Sequence, residues 1–334
     1  IEPPDKKEYP NWKVRPLLKW MNFISPLMWL LGIAFAIDEM TMRFKGHHKD
    51  KKRITYKNEG DGFQADALCQ DGYTYQIYMR NEPAPKEYLQ MGLSPLHSRV
   101  MALFDSVKEC YHQCAMDNLY NSVTFCKAAV NHLRKVLCHG VTRKGMRGIP
   151  DCVKQYEIKQ REGQIAVRGT TKAAILEGDP ACVDLVASSV YDTKPVHYLS
   201  MIAEDIKWVE MEKSVYNVDT GRTENLKFMR MGFIDNYNTA MGDVDQADQL
   251  RGSYRLDIGV RNRKWWWSLM FWGFGVMLVN CYVLYVAVQL AHGTKKTDII
   301  SHHDFRRDIA LFWINPELYK EEKEYKVTDT PTRK

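Results

Sequence analysis

The chain has 334 residues, of which 26% are charged and 45% hydrophobic, and its formal net charge is +6 at pH 7. This length allows roughly two domains, and the composition is typical of a globular protein and excludes a disordered or fibrous one. The mean hydropathy of −0.43 argues against a polytopic membrane protein, and a small positive charge is compatible with nucleic acid without indicating it. The eight cysteines are irregularly spaced, with no Cys-x-x-Cys pair, so we expect structural thiols in a reducing compartment.

The first elements are a short helix, a strand and a hairpin. Residues Asn11–Asn22 show helical spacing of apolar side chains, and the apolar run Ile33–Ile37 stops at Asp38. A buried central strand that ends in this way presents an acid to a site. Alternating apolar residues over 63–79, centred on the favoured turn Asp71-Gly72, predict a β-hairpin.

A second strand that ends at an acid follows the hairpin. The pattern predicts a helix over Ser98–Cys110 and a short strand, His112–Met116, that stops at Asp117. Ser122 is a plausible N-cap for a helix that runs to about Cys138, and Gly140 suits its C-terminal cap.

The second half of the chain changes character twice. From about Pro150 to Gly232, short β-like runs separated by turn signals predict a separate β-rich insertion. Helical sequence resumes over residues 241–256, which include Asp245 and Asp248. The charged tail after Lys320 is expected to be disordered.

Two stretches without Asp, Glu, Lys or Arg conflict with a soluble composition. They are Trp20–Ile37, with eighteen residues, and Trp265–Ala291, with twenty-seven. Each is long enough for a membrane span, so a two-span membrane protein is one hypothesis. Pro26 interrupts the first stretch, and a helix that is apolar all round can also be core. We therefore expect that the first stretch leads into a central strand and that the second is a buried helix packed behind the helix of Asp245. On this interpretation the protein does not associate with a membrane.

The order of elements is that of an RNase H-like fold. We predict an α/β protein with an RNase H-like catalytic core, a β-rich insertion domain and flanking helices. The three acids Asp38, Asp117 and Asp245 supply the hard oxygen ligands that Mg²⁺ prefers. Two such ions activate an attacking oxygen and stabilise a leaving oxygen in phosphoryl transfer, and clustered carboxylates without a cation repel one another.

Several local sequences carry a family resemblance. DEMTMRFKG at 38–46, MDNLYNS at 116–122 and YNTAMGDVDQADQL at 237–250 resemble the first, second and third catalytic motifs of piggyBac-type transposases. RKWWW at 263–267, followed by LVNCYVLY at 278–285, is similar to the helix after the third motif. Residues 141–150 resemble the basic strand that precedes the family's insertion.

The resemblance implies a function and a set of site residues. Asp38, Asp117 and Asp245 would bind two Mg²⁺ or Mn²⁺ ions, and Asp248, three residues later on the same helix face, would be an accessory catalytic acid. The chain would be a nuclear cut-and-paste DNA transposase, acting as a homodimer on transposon ends and TTAA targets. Asp243 departs from the pattern, since the family usually has Gly at that position.

Basic residues are the candidate DNA contacts, because each phosphate contact adds salt-dependent affinity. The alternative for the basic loop at 49–53 is that it is a solvated surface loop without a ligand. The alternative for the tryptophan triplet at 265–267 is that it packs in the core. The candidates are Lys45, Lys51, Lys52, Arg53, Arg143, Lys144, Arg261, Arg263 and Lys264.

The expected organisation follows from these assignments. We expect a remnant of an N-terminal helical DNA-binding region at 1–30, the core at 31–149 and 233–291, the insertion at 150–232, and a C-terminal helical region with its tail at 292–334. The alternative function is a domesticated, transposase-derived DNA-binding protein that no longer cleaves.

Overall fold

A computed structural model gives the fold. The structure describes residues 9–53, 61–156, 169–176, 185–202, 207–217, 221–256 and 264–320. The predicted DNA contacts Arg261 and Arg263, and the tail after Lys320, lie outside the described residues.

The described strands form one large sheet and one hairpin. The strands are β1 (Ala34–Arg43), β2 (Gly62–Gln70), β3 (Tyr73–Met79), β4 (Gln113–Met116), β5 (Leu137–Thr142), β6 (Thr171–Leu176), β7 (Leu185–Tyr191), β8 (Pro195–Ser200), β9 (Trp208–Asn217) and β10 (Arg222–Met231). The large sheet has the order β3-β2-β1-β4-β5-β8-β7-β6, and β9 pairs only with β10. The strand β4 runs parallel to β1 and β5, and the other pairs are antiparallel.

Helices cover both faces of this sheet. They are α1 (Arg15–Met28), α2 (Lys86–Gln90), α3 (Pro95–Phe104), α4 (Val123–Asn131), α5 (Phe233–Ala240), α6 (Gly242–Ser253), α7 (Trp265–Ala291) and α8 (His302–Ile314). One core cluster joins α3 and α4 to one face of β1 and β4. A second cluster joins α1, α6 and α7 to the opposite face of β1 and β2. The protein is therefore a mixed α/β fold with a large mixed sheet between helices.

The hairpin prediction is confirmed, whereas four other element predictions need correction. The helix predicted over Asn11–Asn22 is α1, which runs from Arg15 to Met28. Strands β2 and β3 flank the turn at Asp71, whose φ of 52° is left-handed. Strand β1 does not end at Asp38 but continues to Arg43, because β2 pairs with it over that whole length. The helix predicted to reach Cys138 ends at Asn131, and Gly140 lies inside β5 rather than at a helix cap. The helix predicted to reach Cys110 ends at Phe104.

The first apolar stretch is not one segment. It is divided between α1 and β1, which excludes a single helical span there. Pro26 lies inside α1 instead of breaking it. Proline cannot donate to the carbonyl four residues earlier, and Gln76 Nε2 donates to that oxygen of Asn22 instead, at 2.5 Å.

The second apolar stretch is the single helix α7, as predicted. Within the described ranges it is the one helix long and apolar enough to cross a membrane by length and composition. Its buried residues Leu269, Trp272, Val276, Val279 and Val283 recur every three or four positions, so one stripe faces the core and the rest of its surface does not. The expectation of a buried helix therefore holds for one stripe of α7 and not for its whole surface.

Two asparagine amides dock the apolar helices onto the edge strand β3. Asn280 of α7 accepts a hydrogen bond from Thr74 N at 2.9 Å and donates to Thr74 O at 2.8 Å. Asn22 of α1 pairs in the same way with the backbone of Ile77, at 3.0 and 2.7 Å. An edge strand exposes unpaired backbone groups, and these amides satisfy them. One asparagine in each of these helices thus has a partner in the sheet.

The segment predicted as a separate β-rich insertion contributes the last five strands. Strand β8 pairs antiparallel with β5, so β6, β7 and β8 extend the large sheet. Only the β9–β10 hairpin stands apart from it. The free edge of β5 explains the difference, since a short parallel strand leaves one row of backbone groups to be paired.

Candidate active site

Two carboxylates lie side by side at one edge of the sheet. In the parallel pair of β1 and β4, Ile37 is aligned with Met116. The next residues are Asp38 and Asp117, and adjacent strands are about 4.8 Å apart. Strand alternation puts both side chains on the face occupied by Ala36 two residues earlier.

The third predicted acid comes from a helix on that same face. Helix α6 buries Val244 and Ala247 in the core cluster that contains Ala36. Asp245 lies between these two residues in the chain and is exposed, and its charge contributes to raising the pKa of Asp38. The charges of Asp117 and Asp245 therefore both act on Asp38.

Burial and mutual repulsion make the first carboxylate hard to ionise. Burial, followed by the charges of Asp117, Glu39 and Asp245, raises the pKa of Asp38 to about 7 against the lowering effect of the Glu39 N–H. Burial also raises the pKa of Asp117, while the Leu119 N–H and Arg80 act in the opposite direction. A bound cation would favour the ionised form of these acids, because an opposite charge lowers the pKa of a carboxylate.

The oxygen atoms of these carboxylates suit a hard divalent cation, although the side chains do not converge on one position. Within the described residues, no three His, Cys, Asp or Glu side chains lie close enough together to hold a metal ion. Asp38 Oδ1 accepts from Glu39 N at 2.7 Å, and Asp117 Oδ1 accepts from Leu119 N at 2.8 Å. The Tyr120 N–H is a second backbone donor to the Asp117 carboxylate, and carboxylate oxygens are what Mg²⁺ prefers.

A buried ion network lies directly behind this edge. Arg80 donates from Nη1 to Glu39 Oε2 at 3.0 Å, from Nε to Asp66 Oδ1 at 2.6 Å and from Nη2 to the hydroxyl of Tyr120 at 2.7 Å. Asp66 is fully buried and also accepts from Tyr120 and from Arg99. Every oxygen of a buried carboxylate needs such partners, since an unpaired buried charge is costly.

This network fixes the two strand acids relative to each other. Glu39 follows Asp38 on β1, and Tyr120 belongs to the turn whose Asn121 N donates to Asp117 O at 3.0 Å. Arg80 therefore ties β1 to the turn that holds Asp117. Arg80 was not predicted as a functional residue, because it follows the alternating pattern of β3 and looks like an ordinary surface arginine. The signal for it in the sequence is Glu39, the second acid of the first motif, which needs a cationic partner when it is buried.

A glycine beside the site makes room for an aromatic ring. Gly140 is aligned with Met116 across β5 and β4, and its φ is +142°. A Cβ there would lie 2.0 Å from Met116 O and 2.9 Å from the ring of Tyr237. The ring thus packs over the strand edge, where its hydroxyl pKa is raised by burial and then by Asp117.

We expect Gly140→Ala to lower the free energy of unfolding by at least about 2 kcal/mol, because a non-glycine residue is strained at this φ and a Cβ has no space. Urea denaturation of the two proteins checks this. Gly92→Ala is the control, since its φ is also positive but nothing lies within 4 Å of a Cβ there. An equal loss in both variants would contradict the steric part of the argument.

The two remaining acids of α6 have separate partners. Asp248 Oδ1 accepts from Arg251 Nε at 3.2 Å and from Nη2 at 3.1 Å. Asp243 lies against the hairpin turn, where burial and then the charge of Asp71, against a backbone hydrogen bond from Asp71, give it a pKa of about 6. The extra acid of the third motif therefore faces Asp71.

One part of the predicted DNA-contact set gathers near the start of α7. His48 packs against both Phe63 and Trp265, with ring centroids 5.1 Å apart in each case. This contact joins the loop of Lys45, Lys51, Lys52 and Arg53 to the exposed Lys264. Asp61 lies 3.1 Å from Lys51 and 4.0 Å from Arg53, and so offsets part of that charge.

The second part follows β5. Arg143 and Lys144 are exposed just beyond the end of β5, and Lys144 Nζ lies 4.0 Å from the ring centroid of Tyr156. Strands β1, β4 and β5 run in the same direction, so this pair is at the same edge of the sheet as Asp117. Basic residues therefore lie on both sides of the three carboxylates.

Comparison with known proteins gives a consistent result. The sequence matches the family described as Transposase IS4 over residues 2–282. It is 24% identical over 328 residues to the human piggyBac transposable element-derived protein 3, and 24% identical over 328 residues to the human chimeric ERCC6-PGBD3 protein. The fold is similar to that in the cryo-EM structure of a piggyBac transposase synaptic complex with hairpin DNA, with a TM-score of 0.69 and 19% identity.

The coverage of these matches is unequal. Each human alignment covers 94% of this chain, but 49% and 27% of the two relatives. The structural match covers 100% of this chain and 62% of the transposase. The chain thus spans about half the length of the first of these relatives.

Proposed function

Because this chain belongs to the Transposase IS4 family as a piggyBac-type transposase, we propose that it catalyses metal-dependent DNA cleavage and strand transfer, cutting and pasting DNA at TTAA targets. The observation that carries the proposal is the register of β1 and β4, which puts Asp38 next to Asp117, together with the charge of Asp245 that acts on Asp38.

The proposed site divides its work among these residues. Asp38, Asp117 and Asp245 would hold two Mg²⁺ or Mn²⁺ ions, with Asp248 as an accessory acid. Such ions, when bound, activate the attacking oxygen and stabilise the leaving oxygen of the phosphodiester. Arg80 keeps Glu39 and the Asp117 turn in place, and the basic residues at both sides orient the DNA backbone through phosphate contacts.

The finer organisation is part of the same proposal. We assign the RNase H-like core to residues 31–149 and 233–291, with 150–232 as its insertion and 1–30 and 292–334 as flanking regions. The order of β1, β2, β3 and β4 around the acids supports this assignment. The DNA partner is supported by the structural neighbour, a transposase solved with hairpin DNA. A homodimer would pair two DNA ends, and the basic loop at 49–53 supports a nuclear location.

The test is cleavage of supercoiled plasmid and of a TTAA-containing duplex in Mg²⁺ or Mn²⁺. We expect metal-dependent nicking by the wild-type chain and loss of that nicking in Asp117→Asn, because a neutral amide neither balances a divalent cation nor replaces the lost carboxylate. Asp151→Asn is the matched control, since Asp151 is exposed and pairs with Lys154. Cleavage that persists in Asp117→Asn rejects the assignment.

A second candidate function is DNA binding without cleavage, in a domesticated relative of a transposase. The observation that favours it is that no three potential ligands in the described part of the chain lie close enough to hold a metal ion. It predicts that the wild-type chain binds duplex DNA but shows no nicking with either metal, and that Asp117→Asn binds DNA equally well.

A further inference from the structure

We propose that a second binding site for DNA, specific for a backbone phosphate, lies beside the three carboxylates in the cavity between β1, α6 and α7; this inference rests on the proposed function. The cavity has a volume of about 440 Å³. We refer to it as the arginine cavity because Arg43, Arg251 and Arg255 line it. None of these three belongs to the basic residues that the sequence indicated.

The charge of the lining favours an anion. Three arginines and one aspartate, Asp248, line the cavity, together with Thr41 and Ser268. Arginine is always charged, and its planar fork of donors matches the oxygens of a phosphate. A small apolar ligand is disfavoured, because it would displace water from these charged groups without supplying polar contacts of its own.

Arg251 is held ready for such a ligand. Its aliphatic stem packs against α7, where Cγ lies 3.2 Å from the position that a Cβ on Gly275 would take. Its Nε and Nη2 both donate to Asp248 Oδ1. In the part of the chain that the structure describes, Nη1 has no hydrogen-bond acceptor, so its two N–H groups remain available. Pre-ordering of this kind reduces the entropy lost on binding.

The position of the arginine cavity relative to the acids fits a continuous DNA strand. Asp248 is one helical turn after Asp245, which places their side chains about 5–6 Å apart. The backbone of Thr41 is three residues after Asp38 along β1, about 10 Å away, and by strand alternation its side chain is on the other face of the strand. Successive phosphates of one strand advance about 3.4 Å along the helix axis. A strand whose scissile phosphate lies at the acids therefore has another phosphate, one to three nucleotides away, within reach of the cavity.

The test measures how binding to a fluorescein-labelled duplex depends on salt concentration. Fluorescence anisotropy reports the binding, and EDTA is present so that no cleavage occurs. The variants are Arg251→Gln and Arg255→Gln, with Arg251→Lys to retain the charge. Lys108→Gln is the charge-matched control, because Lys108 is exposed before β4, at the end of the strand opposite Asp117. Urea denaturation of each variant verifies that it is folded.

We expect each glutamine variant to lower the slope of log K against log salt by about 0.9, and hence to weaken binding about eightfold at 0.1 M salt. Arg251→Lys retains most of the slope, and Lys108→Gln matches the wild type. Unchanged slopes in folded Arg251→Gln and Arg255→Gln overturn the arginine cavity as a phosphate site, even if the wild type cleaves DNA. Specific binding without cleavage by the wild type, with reduced slopes in the variants, supports the cavity and rejects only the catalytic proposal. A wild type that does not bind the duplex contradicts both.

Discussion

Replacing Arg80 with methionine is expected to lower the free energy of unfolding by about 3–5 kcal/mol, as removal of one partner from a buried ion network does. Asp66 is fully buried, and Arg80 donates to it at 2.6 Å while also holding Glu39 and Tyr120. Without Arg80, the buried carboxylate keeps only Tyr120 and the longer contact from Arg99 at 3.4 Å. Urea denaturation at pH 8 measures the loss.

Two further variants separate a lost network from a lost surface charge. Arg307→Met removes an exposed arginine that pairs with Asp304 and Asp308, and should cost less than about 1 kcal/mol. Adding Asp66→Asn to Arg80→Met should recover part of the loss, because the amide removes the uncompensated buried charge. Equal losses in Arg80→Met and Arg307→Met would show that the network contributes nothing beyond an ordinary surface pair.

The same variant tests how the acids are positioned. Since Arg80 joins β1 at Glu39 to the turn of Asp117, its loss should weaken Mn²⁺ binding by the folded protein as well as its stability. A folded Arg80→Met protein that binds Mn²⁺ like the wild type would limit Arg80 to a structural role.

The positions of the acids could be predicted from the sequence because they depend on local rules. An apolar run that stops at an acid indicates a buried strand, and two such strands in parallel register bring Asp38 and Asp117 to one edge. The hairpin turn at Asp71 follows from the favoured Asp-Gly pair. Neither inference needs contacts between distant segments beyond the pairing of the strands.

The features that sequence reasoning missed depend on contacts between distant segments. The run Val136-Leu137-Cys138 fits a helical period, but the chain turns through Lys135 at φ 49° and enters β5 because β4 and β8 offer partners on both sides. Short apolar runs cannot be assigned by periodicity alone. Arg80 likewise gains its meaning from Asp66 and Tyr120, which are 14 and 40 residues away.

The class of the apolar helix α7 could not be decided from the sequence either. Composition alone left α7 open to interpretation as a membrane span or as core. The placement of Asn280 against the backbone of β3 decides in favour of packing on the sheet, since a buried amide needs partners that only the folded chain supplies. The buried amide of Asn280 is thus the informative position in this helix.

Replacing Asp38 with asparagine is expected to have opposite effects on stability and activity. Asparagine can still accept the hydrogen bond from Glu39 N, but it removes a charge that burial and neighbouring acids disfavour. A rise in pKa from 3.8 to about 7 corresponds to at most roughly 4 kcal/mol, and residual structure in the unfolded state reduces this value. We therefore expect a more stable, metal-free protein that no longer nicks DNA.

The sign of the pH dependence identifies the cause. Asp38 binds its proton more tightly in the folded state than in the unfolded state. Between about pH 4 and pH 7, folding of the wild type is therefore accompanied by proton uptake, and the free energy of unfolding falls as the pH rises through that window. Asparagine does not titrate. The advantage of Asp38→Asn should therefore be absent near pH 3.5, grow up to about pH 7 and stay constant above it.

Urea denaturation at several pH values, in EDTA and in saturating Mg²⁺, completes the measurement. Because a cation that binds only the folded state stabilises it, Mg²⁺ should raise the stability of the wild type and reduce or reverse the advantage of Asp38→Asn at pH 8. Asp151→Asn, at an exposed position, should show neither the pH-dependent gain nor a changed response to Mg²⁺. An Asp38→Asn protein that is less stable than the wild type at pH 8 in EDTA would mean that the carboxylate of Asp38 is satisfied by the folded chain itself, and that these acids are not held together for a cation.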